Sequence, residues 1–453
     1  PTTMEYYFTT VAQLDEFGAY SVVGSAVQTL QFQFVKEKGE WRIDQAPPGI
    51  VLPVSTFLTI FSKHALYFYD LSLSYLVPDE RWFPGGTTAN RIVTALLAGP
   101  PEWLKGSVIS QFPDGTQLSP GTTVTVDSTV AQVDLTAEAA GADSGQRQLM
   151  QLQLTESLAS VPGIASAEIS VADSILSIRP MGADAPVAQR TLDSRPVVLT
   201  EGGFGYLAGG ELTPIPQLSD KIVALNPRAV ALGVDAHMAA VLTESGVFAV
   251  RVNQKQPQAI DSRAGLIAPA LDDFGFVWSV PAGSPNSIIA VGADGVVHPV
   301  AVTLPTGSSI VSLTIAQDNV RVAMLVNTSA GARLIVSAIA RDAAQGFIPL
   351  SIGTPVMDST IDGAAAALGA VWLDRFSVAT LTGSDGVSSV SVFEVGGQRS
   401  SLGKPTGGVA LVGGNGSKGL RILDSDHHLQ SPRGSGWQVT TSSMSIDLLA
   451  AQR

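Results

Sequence analysis

The densest group of metal-capable side chains in the sequence is Asp424-Ser425-Asp426-His427-His428. Asp424 and Asp426 would share one strand face, and imidazole suits transition metals. The run falls where a hairpin tip is expected, however, and Asp and His are ordinary turn residues. No second cluster supplies the remaining ligands of a closed site, so no resident metal is expected. Gly414-Asn415-Gly416-Ser417-Lys418-Gly419 matches G-x-G-x-x-G. As a dinucleotide cradle that motif needs a strand before it and a helix after it. Here the strand-like Leu420-Arg421-Ile422-Leu423 follows, so the glycines read as a hairpin and no cofactor is expected.

Nucleophilic chemistry has little support. Cysteine is absent, which removes thiolate catalysis, zinc–thiolate sites and disulfides. There is no G-x-S-x-G elbow and no H-E-x-x-H. His64, His237 and His298 stand alone in sequence. A glycosidase needs two carboxylates at a set separation, and Asp235, Asp273, Asp318, Asp358, Asp374 and Asp385 could offer a pair. Most of them fall at strand starts or turns, where Asp accepts hydrogen bonds from nearby backbone amides. No catalytic residue is assigned, and the chain is read as a non-enzyme. The aromatic group Tyr67, Phe68, Tyr69, Trp82 and Phe83 remains. Trp82-Phe83-Pro84-Gly85-Gly86 reads as a loop, and exposed loop aromatics are common binding anchors. Trp82 and Phe83 are therefore the candidate protein-binding residues, with burial in a core as the competing reading.

These residues must be carried by more than one domain, because 453 residues exceed what a single core supports. Apolar residues make up 45% and charged residues 14%, a globular rather than disordered balance. Residues 1–195 carry 11 Lys and Arg against 20 Asp and Glu, a net −9; residues 196–453 carry 15 against 19, a net −4. Neither part is basic, which argues against nucleic acid and against simple attraction to anionic lipid. The acidic front would suit a basic partner patch or simply a solvated surface. Phe274–Ala293 is long and uncharged enough to span a membrane, but Gly275, Pro281, Gly283, Pro285 and Asn286 make it a soluble hairpin. The chain opens at Pro1 with no leader and no lipid-attachment Cys, so it is expected to be a fragment with those features upstream.

Three regions follow from periodicity. In residues 1–50 the run Val27–Val35 alternates at period 2, Glu37-Lys38-Gly39 turns, and Trp41 and Ile43 resume the alternation. This reads as the C-terminal part of an α+β domain, of a kind seen in nuclear-transport-factor-like folds. Residues 51–180 read as strand, strand, helix (Thr88–Ala98), strands, helix (Gln146–Ser160), strands, a second α+β domain. Residues 181–196 read as a linker. From 197 to 453 strands alternate without a helix, and corresponding points recur at intervals of about 40–55 residues, the period of propeller blades. Five repeats are clear, and Val197–Pro216 would complete a closing blade; five, six or seven blades are all compatible. A pair of β-sandwiches is the rival architecture.

One resemblance gives this order a meaning. Trp41-Arg42-Ile43, Pro47-Pro48-Gly49, Leu66-Tyr67-Phe68, Leu76-Val77-Pro78, Arg81, Leu96–Pro100, Phe112–Thr116 and Val130–Leu135 resemble, in order and spacing, the GerMN domain of bacterial envelope proteins and the tail of a domain before it. With a propeller behind it, the chain resembles the LpqB family of actinobacterial lipoproteins. That resemblance implies a non-catalytic protein held on the outer face of the plasma membrane by an N-terminal lipid. It also implies a partner, the extracytoplasmic domain of a sensor histidine kinase of the MtrB type, and a role in envelope homeostasis and division. A peptidoglycan- or glycan-binding module is the alternative, and a cell-wall hydrolase a further one.

Overall fold

The computed structural model describes residues 2–23, 27–361, 366–384, 386–434, 436–441 and 444–453. Asp385, one of the carboxylates considered above, lies outside them.

The N-terminal region is built of strands. Thr2–Thr9, Val27–Glu37 and Glu40–Gln45 form an antiparallel sheet. Its hairpin turn places Lys38 at φ 51° and Gly39 at φ 90°, the left-handed pair that matches strand twist. Pairing of Met4 with Phe32, Tyr6 with Leu30 and Ile43 with Phe34 puts the apolar side chains on one face. That face is bare: Met4, Tyr6, Trp41 and Ile43 are each more than half exposed. A smaller hairpin, Ala12–Leu14 with Tyr20–Val22, leaves this sheet and reaches the next domain through a bridge between Ala19 and Arg81.

The second domain packs two helices between two sheets. One sheet holds Phe61–Asp70, Leu76–Pro84 and Val108–Ile109; the other holds Thr125–Asp127, Val130–Leu135, Ser166–Val171 and Ser174–Ile175. Thr88–Leu97 buries Ile92, Val93 and Leu96 in the shared core. Ser144–Leu158 begins where the Asp143 carboxylate accepts from the Gln146 amide at 2.8 Å, an N-cap. Met150, Leu154 and Leu158, four residues apart, are fully buried. A helix not expected from the sequence, Val54–Ile60, precedes the first strand.

Among the described residues the strands from 197 onward form six blades, of four strands each except the third, where Met357–Thr360 adds a fifth beside Gly331–Asp342. Five are contiguous in sequence, the first Ala229–Asp261 and the last Gly408–Val439. The sixth is composite. Leu448–Gln452 pairs antiparallel with Val197–Thr200, Val197 opposite Ala450, and parallel with Ala229–Leu232 of the first blade. The ring is thereby closed by strands from both ends of the segment, with no free inner edge at the join. The rival sandwich pair is absent. Phe274–Ala293 is a hairpin, with Val277–Ser279 against Ile289–Val291. Among the described residues no helix is long and apolar enough to cross a membrane.

Two expectations need correction. The segment after 196 is not free of helix: Ser219–Val223 forms one short turn joining the sixth blade to the first, because Leu218 and Ile222 find a buried site there. The connecting residues 181–196 touch both of the domains they join. Val187 pairs with Ser74 and Leu76 of the second domain, and Leu192 is buried against the propeller. Trp82 and Phe83 are not in an exposed loop. The strand Leu76–Pro84 runs through them, and they are 5% and 3% exposed. Phe83 enters the core of its own domain, and Trp82 is covered by Phe57, by Tyr20 of the N-terminal hairpin and by Gly396 of the propeller, which a local reading does not see.

Candidate functional site

The second domain sits on the propeller face formed by the loops between first and second, and third and fourth, strands of each blade. In blade after blade an Asp opens such a loop and accepts backbone amides. Asp272 takes Phe274 and Phe276, Asp318 takes Val320 and Arg321, and Asp374 takes Phe376 and Ser377. Asp235 does the same for His237, and Asp358 pairs with Arg333. Of the carboxylates that sequence offered to a hydrolase, Asp235, Asp318, Asp358 and Asp374 are thus engaged in shaping loops and in ion pairs.

The Asp424 group is a turn of the same kind. Asp424 is buried and accepts the amides of Asp426 and His428 and the Gln430 side chain. His427, at φ 62°, bonds the Ile446 carbonyl through Nδ1. Among the described residues no group of three His, Asp or Glu side chains is arranged to hold a metal ion. His64 is buried beside Ser160, with Nδ1 to Oγ 2.8 Å, and burial lowers its pKa. No carboxylate orients that pair among its hydrogen bonds. His237 is an exposed partner of Asp235, and His298 meets the edge of Phe276.

The glycine motif has a structural task. Asn415 clamps the connecting segment, its Oδ1 accepting from the Leu192 amide and its Nδ2 donating to the Leu192 carbonyl, both at 3.0 Å. A Cβ at Gly414 would lie 2.4 Å from Leu192 Cδ1. The motif is therefore a socket for residue 192; only the three-residue 3-10 turn Ser417–Gly419 follows, with no α-helix to meet a phosphate.

Trp82 lies where three parts of the chain meet. Its backbone amide donates to Gly18, its ring packs on Phe57 and Tyr20, and its Nε1 donates to the Gly396 carbonyl of the propeller. Other bonds cross the same seam. Tyr75 donates to Asp273 at 2.6 Å, and the Lys63 ammonium reaches Glu394 at 2.6 Å and Glu80 at 3.5 Å. Burial pushes the Glu80 carboxyl up to about 7; Lys63 opposes this and Glu394 adds to it. One Glu80 oxygen is buried with no hydrogen-bond partner. Burial also pushes the Tyr67 phenol up to about 12, with Arg375 pulling it back.

Beneath this seam the inner strands enclose a central cavity of about 320 Å³. Its walls are mostly small and apolar, and its end toward the second domain carries Asp318, Arg321, Asp374 and Arg375. Arg321 is 2% exposed, bonded through Nε to Asp318 at 2.6 Å and laid over the Trp372 ring at 4.8 Å. Sequence reading missed Arg321, Arg375 and Glu80. A lone Arg or Glu in an alternating strand gives no signal of what another domain will place beside it.

Comparison with known proteins agrees with this architecture. Residues 202–447 match the model described as the Lipoprotein LpqB beta-propeller domain, residues 65–176 that described as Sporulation and spore germination, and residues 1–58 that of the Lipoprotein LpqB N-terminal domain. Lipoprotein LpqB of Cutibacterium acnes is 25% identical over 380 residues, covering 75% of this chain and 61% of that protein. Lipoprotein LpqB of Rhodococcus opacus is 25% identical over 356 residues, covering 70% and 58%. That of Thermobifida fusca is 34% identical over a shorter 148 residues, covering 31% and 23%. The chain thus spans less than two thirds of these relatives' length. Among solved structures, TolB from Acinetobacter baumannii is similar with a TM-score of 0.38 and 12% identity, covering 57% of this chain and 66% of that one. The relatives are named as lipoproteins, not as enzymes. With the propeller model alone matching more than half of its residues, the chain belongs to the LpqB lipoprotein family.

Proposed function

We propose that this protein is a non-catalytic accessory lipoprotein on the outer face of the plasma membrane, whose partner is the extracytoplasmic domain of a sensor histidine kinase. One observation carries the reading. The chain belongs to a family whose named relatives are lipoproteins, and Asp318, Asp374 and Asp424, which could have served chemistry, are held by their own loops. Anchoring by an upstream lipid is supported by the relatives' name. The kinase as partner rests on the family resemblance, and modulation of envelope and division signalling goes with it.

Calorimetry of the purified chain against the kinase ectodomain tests this. Saturable one-to-one binding at micromolar concentration supports it. No binding at micromolar concentration removes the direct form of the reading. Peptidoglycan as ligand has less support, because the exposed aromatics lie on an open sheet and not along a groove.

A further inference from the structure

We propose that the central cavity of the propeller is a binding site for a small amphiphile, an apolar body with one carboxylate head, the head held by Arg321 and Arg375. The site is independent of the kinase reading, since it lies inside the ring.

Its volume, about 320 Å³, falls at the small end of the range for ligand pockets, about 300–1,000 Å³. The two ends differ chemically. Toward the second domain stand two guanidinium groups with uncommitted donors. Arg321 is 2% exposed, yet only its Nε is hydrogen-bonded; neither terminal nitrogen has a partner among the described residues. Its orientation is set from two sides, by Asp318 and by the Trp372 ring, whose own Nε1 is tied to the Thr314 carbonyl at 3.2 Å. Arg375 makes no hydrogen bond among the described residues, and its Nε is buried without one. Its guanidinium lies 5.9 Å from the Tyr67 ring and 4.8 Å from the Phe376 ring. A buried donor left unpaired is costly, more so when charged, and the Arg375 Nε is one. A fold that keeps two guanidinium groups with unused donors at one cavity is complementary to an anion.

The carboxylates at the same end do not fill this role. Asp318 is bound to Arg321 Nε and two amides, and Asp374 Oδ1 to two amides and the Ser377 hydroxyl. Both are held by their own loops. Away from this end Val311, Leu368, Val371 and Val409 border the cavity, with Arg228 and Asp447 also in its lining. Leu368 is 37% and Val409 48% exposed, which places accessible apolar side chains on the route in. A purely polar anion would leave that wall wet, and a neutral apolar molecule would leave the guanidinium donors unpaired. A medium-chain carboxylate satisfies both.

The test is calorimetric titration of the whole chain with sodium decanoate below its micelle concentration, with decanol, sodium acetate and inorganic phosphate as controls. Intrinsic fluorescence, to which Trp372 contributes as one of six tryptophans, gives a second readout. Saturable one-to-one binding of decanoate is expected, at least tenfold tighter than any control. Arg375→Gln, which leaves the buried Asp318–Arg321 pair intact, is expected to weaken it at least tenfold, and Val409→Asp similarly. Absence of saturable binding overturns the proposal. So does equal binding of acetate or phosphate, equal binding of decanol, or binding indifferent to both substitutions in folded variants.

Discussion

The indole Nε1 of Trp82 donates to the backbone carbonyl of Gly396 at 2.9 Å, joining residues 314 apart in sequence across the seam between the second domain and the propeller. Trp82 also receives the N-terminal hairpin on its other side. Trp82→Ala should therefore destabilise by about 3–5 kcal/mol, as for other buried aromatic truncations. Trp82→Phe should cost about 1 kcal/mol through the lost bond. Denaturant unfolding measures both, and hydrogen exchange at residues 394–398 should rise in each.

Glu80 makes the seam sensitive to pH. Its carboxyl, ordinarily near 4.5, is raised to about 7 by burial. The folded state therefore retains a proton that the unfolded state has released between those values. The stabilising contribution is full below about 4.5 and is lost as pH rises through about 7. Glu80→Gln keeps the site neutral, so the Tm of the variant should gain on the wild type from pH 5 to pH 8. A difference that does not grow over that range counts against this assignment.

The socket for Leu192 predicts a second local effect. Gly414→Ala introduces a Cβ 2.4 Å from Leu192 Cδ1 at a residue with φ 132°. Asn415→Ala removes both hydrogen bonds that hold residue 192, at about 1 kcal/mol each. Both variants should speed limited proteolysis within 181–196 while the propeller itself stays folded by circular dichroism.

Ring closure is testable by truncation. Removing residues 448–453 deletes the strand that joins Val197–Thr200 to Ala229–Leu232. Two strand edges are then exposed, and light scattering should show association on warming that the intact chain lacks.

The Asp424 turn should hold no stoichiometric ion after purification. Elemental analysis showing close to one equivalent of zinc or calcium, lost on His427→Ala, would overturn that. Asp424→Ala should instead cost about 1–3 kcal/mol, because Gln430 and two amides lose their acceptor.

Local pattern carried the elements whose burial alternates along the chain itself. Val130–Leu135 was readable to the residue, because Ala131, Val133 and Leu135 point to one core at period 2. The helix of Met150, Leu154 and Leu158 declared itself by its spacing, and the blade repeat by recurrence of turn and strand. The expected pairing of Val197–Thr200 with the C-terminal strand is present. The absence of Cys and of any catalytic motif likewise belonged to the sequence alone. Tertiary structure decided the rest. Whether Trp82 was anchor or core depended on Gly396 and Gly18, neither adjacent to it in the chain. Glu80 is an ordinary strand residue until Lys63 and Glu394 are brought beside it in a place without water. Arg321 is one cation in an alternating strand until ring closure sets it over Trp372 at the end of a cavity. Burial, charge pairing and cavity formation are properties of surfaces that meet, and sequence periodicity describes only the surface a segment offers.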